Sequence, residues 1–63
     1  MRVDEETELF CIKSLYDLED NHFTEGYIYE VHKRQTHSTI ILTNSGMEYC
    51  FPDDDIEKYF KKL

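Results

Sequence analysis

The histidines and cysteines are the residues of this 63-residue chain best suited to hold a metal or move a proton. Their spacing does not build a site. His22 falls in an acidic stretch, and His32 and His37 flank a polar run. A histidine pair with no third ligand or carboxylate at matching spacing leaves a metal centre incomplete. Cys11 and Cys50 stand far apart and lack Cys-x-x-Cys spacing, so they read as two half-buried reduced thiols on separate strands; a disulfide is the alternative and requires a secreted protein. The chain holds no Gly-x-Ser-x-Gly, no glycine-rich phosphate loop and only 2 glycines. Asp53-Asp54-Asp55 has charge enough for Ca²⁺, but oxygen-ligand loops need alternating acids, a glycine and a distal bidentate Glu. The expectation is a protein that is not an enzyme and carries no metal or cofactor.

What remains is surface charge. Fourteen Asp and Glu against 7 Lys and Arg give a net charge of -7. Asp17, Glu19, Asp20 and Glu25 crowd one stretch, Asp53 to Asp55 another, and Asp4 to Glu8 an N-terminal arm. With the aromatic residues Tyr27 and Tyr49, the candidate protein-binding set is Asp17, Glu19, Asp20, Glu25, Tyr27, Tyr49, Asp53 and Asp54. Its partner would be a protein with a basic surface, and the competing reading of the same acids is a solubilising coat. Lys33 and Arg34, with His32 and His37, make the one basic spot outside the C-terminal segment. Together with Tyr27, Tyr29 and Tyr49 that spot supports an alternative, a small single-stranded nucleic-acid binder. The overall field repels phosphates, which argues against nucleic acid. No apolar stretch approaches the ~20 residues that span a bilayer, and the first residues are acidic rather than leader-like. The expected location is the cytoplasm, with no membrane partner.

The elements that position these residues are mostly strands. Leu9 to Lys13 is a short run of β-formers and the expected first strand. Residues 14 to 25 scatter Leu15, Tyr16, Leu18 and Phe23 among acids, predicting a long loop, with a helical turn at Leu15 to Leu18 as the alternative. After Gly26, Tyr27 to His32 alternates aromatic and β-branched residues, with Tyr29 and Val31 sharing a face. The polar run 33 to 37 then leads to Ser38 to Thr43, an antiparallel hairpin in which Ile40 and Leu42 face one side and Ile41 the other. A small barrel buries only one side of an edge strand, so Ile41 is expected to be covered by the loop around Tyr16 and Leu18 or shared with a second copy; a monomer is favoured over a homodimer. Asn44-Ser45-Gly46 is a reversal, and Met47 to Phe51 a further strand with Tyr49 and Phe51 on one face and Glu48 and Cys50 on the other.

Pro52 ends that strand, and Asp54 with Glu57 three residues on predicts a capped helix start. Ile56, Tyr59, Phe60 and Leu63 would form its apolar stripe, with Lys58, Lys61 and Lys62 toward its C-terminal end. Residues 1 to 8 offer one apolar anchor, Val3, and read as a flexible acidic arm before a single domain over 9 to 63.

Cys11-Ile12-Lys13, Phe23-Thr24-x-Gly26-x-x-Tyr29-Glu30-Val31, Thr43-Asn44-Ser45-Gly46, Phe51 and Tyr59-Phe60, in this order and spacing, resemble a group of very short, mostly uncharacterised proteins of Gram-positive bacteria and their phages. The resemblance implies a mainly β fold, a small SH3-like barrel of four to five bent antiparallel strands with a short C-terminal helix. It implies no catalytic residue. It also implies a phage-type modulator or inhibitor of a host protein, working by stoichiometric capture in the host cytoplasm, with its carboxylates imitating nucleic-acid charge.

Overall fold

The structure, a computed structural model, describes residues 3–5, 7–16, 18 and 20–63. Its strands are β1 (Glu8–Cys11), β2 (Leu15–Tyr16), β3 (Asn21–Phe23), β4 (Ile28–Arg34), β5 (Ser38–Leu42), β6 (Glu48–Pro52) and β7 (Phe60–Lys62), with one helix, α1 (Asp53–Tyr59), between the last two. Five strands form a curled antiparallel sheet in the order β6-β5-β4-β1-β7, and β2 pairs with β3 alone. This is a small SH3-like barrel with a short C-terminal helix, mainly β as the alternation predicts.

The curl follows from where the side chains go. Leu9, Cys11, Phe23, Val31, Ile41, Phe51, Ile56 and Phe60 fill the concave side, joined by Val3 from the acidic arm. Phe23 is the hub, its ring 5.0 Å from Tyr29, 5.3 Å from Phe60, 5.4 Å from Phe51 and 5.7 Å from Tyr49. Several of these contacts are edge-to-face, the arrangement that suits aromatic quadrupoles. In β5 the inward residues are Thr39 and Ile41, both fully buried, while Ile40 is half-buried and Leu42 exposed. The face assignment that put Ile40 and Leu42 inside is therefore inverted. Ile41 is core, and neither Leu18, which is fully exposed, nor a second copy is needed to cover it. The sequence misleads here because the apolar pair flanks the buried residue, whereas the inward threonine is polar. Thr39 is accepted inside because its hydroxyl takes a hydrogen bond from Arg34 Nη1 at 2.9 Å.

Where the pattern predicts a long loop, the chain makes the β2–β3 hairpin. Strands of two and three residues cannot hold themselves in water, and a polar clamp supplies the rest. Asn44 Nδ2 donates to Asn21 O at 2.9 Å and Thr24 Oγ1 at 3.1 Å, while Tyr29 Oη donates to Asn44 Oδ1 at 2.6 Å. Asn44 N–H adds a bond to His22 O at 2.9 Å. The turn that follows β3 puts Gly26 at φ +91, and the β5–β6 turn puts Gly46 at φ +86, conformations in which a side chain is strained.

The C-terminal segment departs from its predicted form. The helix has Pro52 at its N-cap and no side-chain capping bond, so the Asp54/Glu57 capping box is absent. It stops at Tyr59, and Phe60 turns extended into β7, which pairs with β1 through Leu9↔Lys62, Phe10↔Lys61 and Cys11↔Phe60. Lys61 and Lys62 are strand residues, and Leu63, exposed, leaves the apolar stripe. The cysteines also differ from two half-buried thiols: both are free, but Cys11 is buried and Cys50 exposed. Burial pushes the Cys11 thiol up and keeps it protonated, which leaves it unreactive.

Candidate functional site

Among the described residues, the acids singled out by the sequence do not gather into one surface. Asp17 and Glu19 lie outside the described residues. Asp20 and Glu25 are exposed beside the β2–β3 hairpin, and Glu25 N–H donates to Ser14 Oγ at 2.9 Å. Tyr27 is 60% exposed, in the turn that leads into β4. Asp53 stands by Arg34 at the other end of β4, a seven-residue strand that covers about 20 Å at ~3.3 Å per residue. Tyr49 is half-buried, packed against Phe23, Phe51 and His22. Asp54 remains exposed on the first turn of α1.

Asp53 already has a structural partner. Arg34 grips it with two bonds, Nη1 to Oδ1 at 2.6 Å and Nη2 to Oδ2 at 2.9 Å, and Nη1 also donates to Ser38 O at 2.7 Å. This fork ties the end of β4 and the start of β5 to the helix, and it is the anchor α1 has in place of a side-chain cap. It also occupies one of the two cations, Lys33 and Arg34, on which the nucleic-acid alternative depends, since the Arg34 side chain is only 13% exposed.

The hydrogen bonds from Arg34 hold the Asp53 carboxyl below the usual aspartate range, against the opposing pull of desolvation. A carboxyl depressed in the folded state stabilises the fold fully above its unfolded pKa, and that contribution is lost as pH falls through the lower folded value. Asp53→Asn is therefore expected to flatten the acid limb of a plot of urea midpoint against pH. Parallel acid limbs for the two proteins would show that the ion pair does not hold the helix.

A different acidic surface appears on the convex side of the sheet. Glu8 pairs directly with Glu30 across β1 and β4, and Val31 N–H donates to Thr7 O at 2.9 Å just beyond them. That pattern makes Glu8 and Glu30 a non-hydrogen-bonded pair, the class with the closest side chains. The β4–β5 register carries the row on from Glu30 to Leu42, and Leu42 pairs with Glu48 on β6. Beside this row, Phe10 faces Ile28, which is 56% exposed. His32 approaches Glu48 at 3.5 Å, and Lys61 lies across from Phe10. The result is an apolar strip, Phe10, Ile28 and Leu42, bordered by three glutamates drawn from three strands.

Like charges placed directly opposite on a sheet are destabilising, so Glu8 and Glu30 are not explained by the fold. Alternation alone puts Glu30 and Glu48 on the outward faces of their strands. What it does not supply is the register that sets Glu8, the last acid of the N-terminal stretch, against Glu30.

Among the described residues no group of three or more His, Cys, Asp and Glu is placed to hold a metal ion. No helix among them is long and apolar enough to cross a membrane. Compared with known proteins, the chain matches no family model, no curated protein and no solved structure.

Proposed function

We propose that this chain is a non-enzymatic protein-binding module that docks its acidic outer sheet face on a basic surface of another protein. The observation that carries the reading is the Glu8↔Glu30 pair, two like charges held side by side in line with exposed Leu42 and with Glu48. An arrangement that costs the isolated fold stability is repaid when a cationic surface lies across it. The apolar strip supplies area that becomes dry on docking, and the carboxylates supply register and attraction. The phage-type resemblance makes a bacterial host protein the natural partner, captured one to one and thereby modulated or inhibited, with the carboxylate row standing in for nucleic-acid phosphates.

Capture from bacterial lysate on the immobilised chain, followed by mass spectrometry, tests this. A protein with a basic surface is expected, and its recovery falls as salt rises toward physiological strength, because exposed charges are screened beyond ~8 Å there. Recovery of nucleic acid in place of protein would favour the single-strand binder instead.

A further inference from the structure

Strand β6 is an edge of the sheet, and α1 folds back against it. Between them lies a cleft of about 200 Å³ lined by Tyr49, Phe51, Pro52, Tyr59, Asp55 and Lys58. Ligand pockets for drug-sized molecules run from about 300 to 1,000 Å³. This cleft has room for a single side chain.

Its walls combine the aromatic residues Tyr49, Phe51 and Tyr59 with one charged pair, Asp55 and Lys58. The Tyr49 and Phe51 rings sit 4.7 Å apart, and Tyr59 lies 5.9 Å from Phe51 on the helix side. Tyr49 and Tyr59 are half-buried, so part of each ring remains open. The chain already places a cation of its own here, Lys58, whose Nζ is 3.2 Å from Asp55 Oδ1; elsewhere on the Tyr59 residue, Lys13 Nζ stands 5.8 Å from the ring centre. The Lys58 contact is easily exchanged. Asp55 and Lys58 are 48% and 67% exposed, and pairs so open to water contribute little to stability. A negative net charge of -7 and the negative faces of the rings disfavour an anion in the same place.

We propose that the cleft is a recognition site for one arginine side chain of a partner protein. A guanidinium is planar and weakly hydrated, stacks on aromatic faces, and can take both oxygens of a carboxylate. It therefore gains from Tyr49, Tyr59 and Asp55 together. The Lys58 ammonium is the intramolecular occupant that it displaces from Asp55. This inference rests on the protein-binding reading only for where the arginine comes from; the chemistry of the cleft stands apart from the outer face.

The test is an NMR titration of the whole chain with acetyl-Gly-Arg-Gly-amide and with its citrulline counterpart, which keeps the shape and loses the charge. The arginine peptide is expected to shift the ring signals of Tyr49 and Tyr59 saturably, and the citrulline peptide to leave them nearly unmoved. Lys58→Met, at an exposed position, should tighten binding by about two- to five-fold by releasing Asp55, and Asp55→Asn should weaken it by a similar factor. Equal shifts from the two peptides, no ring shifts with the arginine peptide, or weaker binding in Lys58→Met with a native spectrum would each overturn the proposal. None of these variants touches Glu8, Glu30 or Glu48, so failure here leaves the outer-face reading standing, and the reverse also holds.

Discussion

Phe23→Ala is expected to remove roughly a third or more of the stability of the fold. Phe23 is fully buried and touches the rings of Tyr29, Tyr49, Phe51 and Phe60, so its removal empties the centre of the aromatic core. Truncating a buried Phe to Ala costs about 3–5 kcal/mol. Domains are stable by roughly 0.05–0.15 kcal/mol per residue, so a chain of this length has only about 3–9 kcal/mol in total. Loss of the unfolding transition, or a large fall in urea midpoint, is the expected readout. A midpoint within experimental error of the parent would mean that the core is organised around some other residue.

Removing residues 53–63 is expected to be as damaging. The segment carries Ile56 and Phe60, both buried, and β7, which covers the edge of β1. It also carries Asp53, the partner of Arg34. Without it the concave side opens to water and Arg34, at 13% exposure, loses its carboxylate. The shortened chain should give a collapsed amide spectrum in NMR. A well-dispersed spectrum from residues 1–52 would make the helix and last strand accessories to a self-sufficient sheet.

Much of this architecture is legible along the chain, and the parts that are not share a cause. Alternation in Tyr29 and Val31, and in Tyr49 and Phe51, assigns the inner faces of β4 and β6 correctly because apolar residues there coincide with inward positions. It fails in β5, where Ser38-Thr39-Ile40-Ile41-Leu42 contains three consecutive apolar residues and the face is decided by Thr39 and its bond to Arg34. The β2–β3 hairpin escapes detection because its order comes from Asn44 and Tyr29, distant in sequence, rather than from its own composition. The helical stripe continues past Tyr59 on paper, but β1 has an open edge and Phe60 to Lys62 pairs with it.

The candidate site follows the same division. Local charge density draws the eye to residues 17 to 25 and 53 to 55, yet Asp53 is engaged in holding the fold and Tyr49 in packing it. Glu30 and Glu48 are single acids among apolar neighbours in the sequence and Glu8 ends the acidic N-terminal stretch, and only strand register brings the three into one row. A surface assembled across strands has no linear signature.

The account turns on whether that row is the docking surface. The measurement that tests it most directly is the affinity of the captured partner for the parent chain and for the Glu8→Lys, Glu30→Lys double variant, at matched salt and with the amide spectrum of each recorded. Both residues are exposed, and the double variant exchanges one like-charge pair for another, so it should remain folded. The account predicts a native spectrum with affinity reduced about ten-fold or more, as repulsion replaces attraction at the centre of the contact. An unchanged affinity in a natively folded double variant would contradict it.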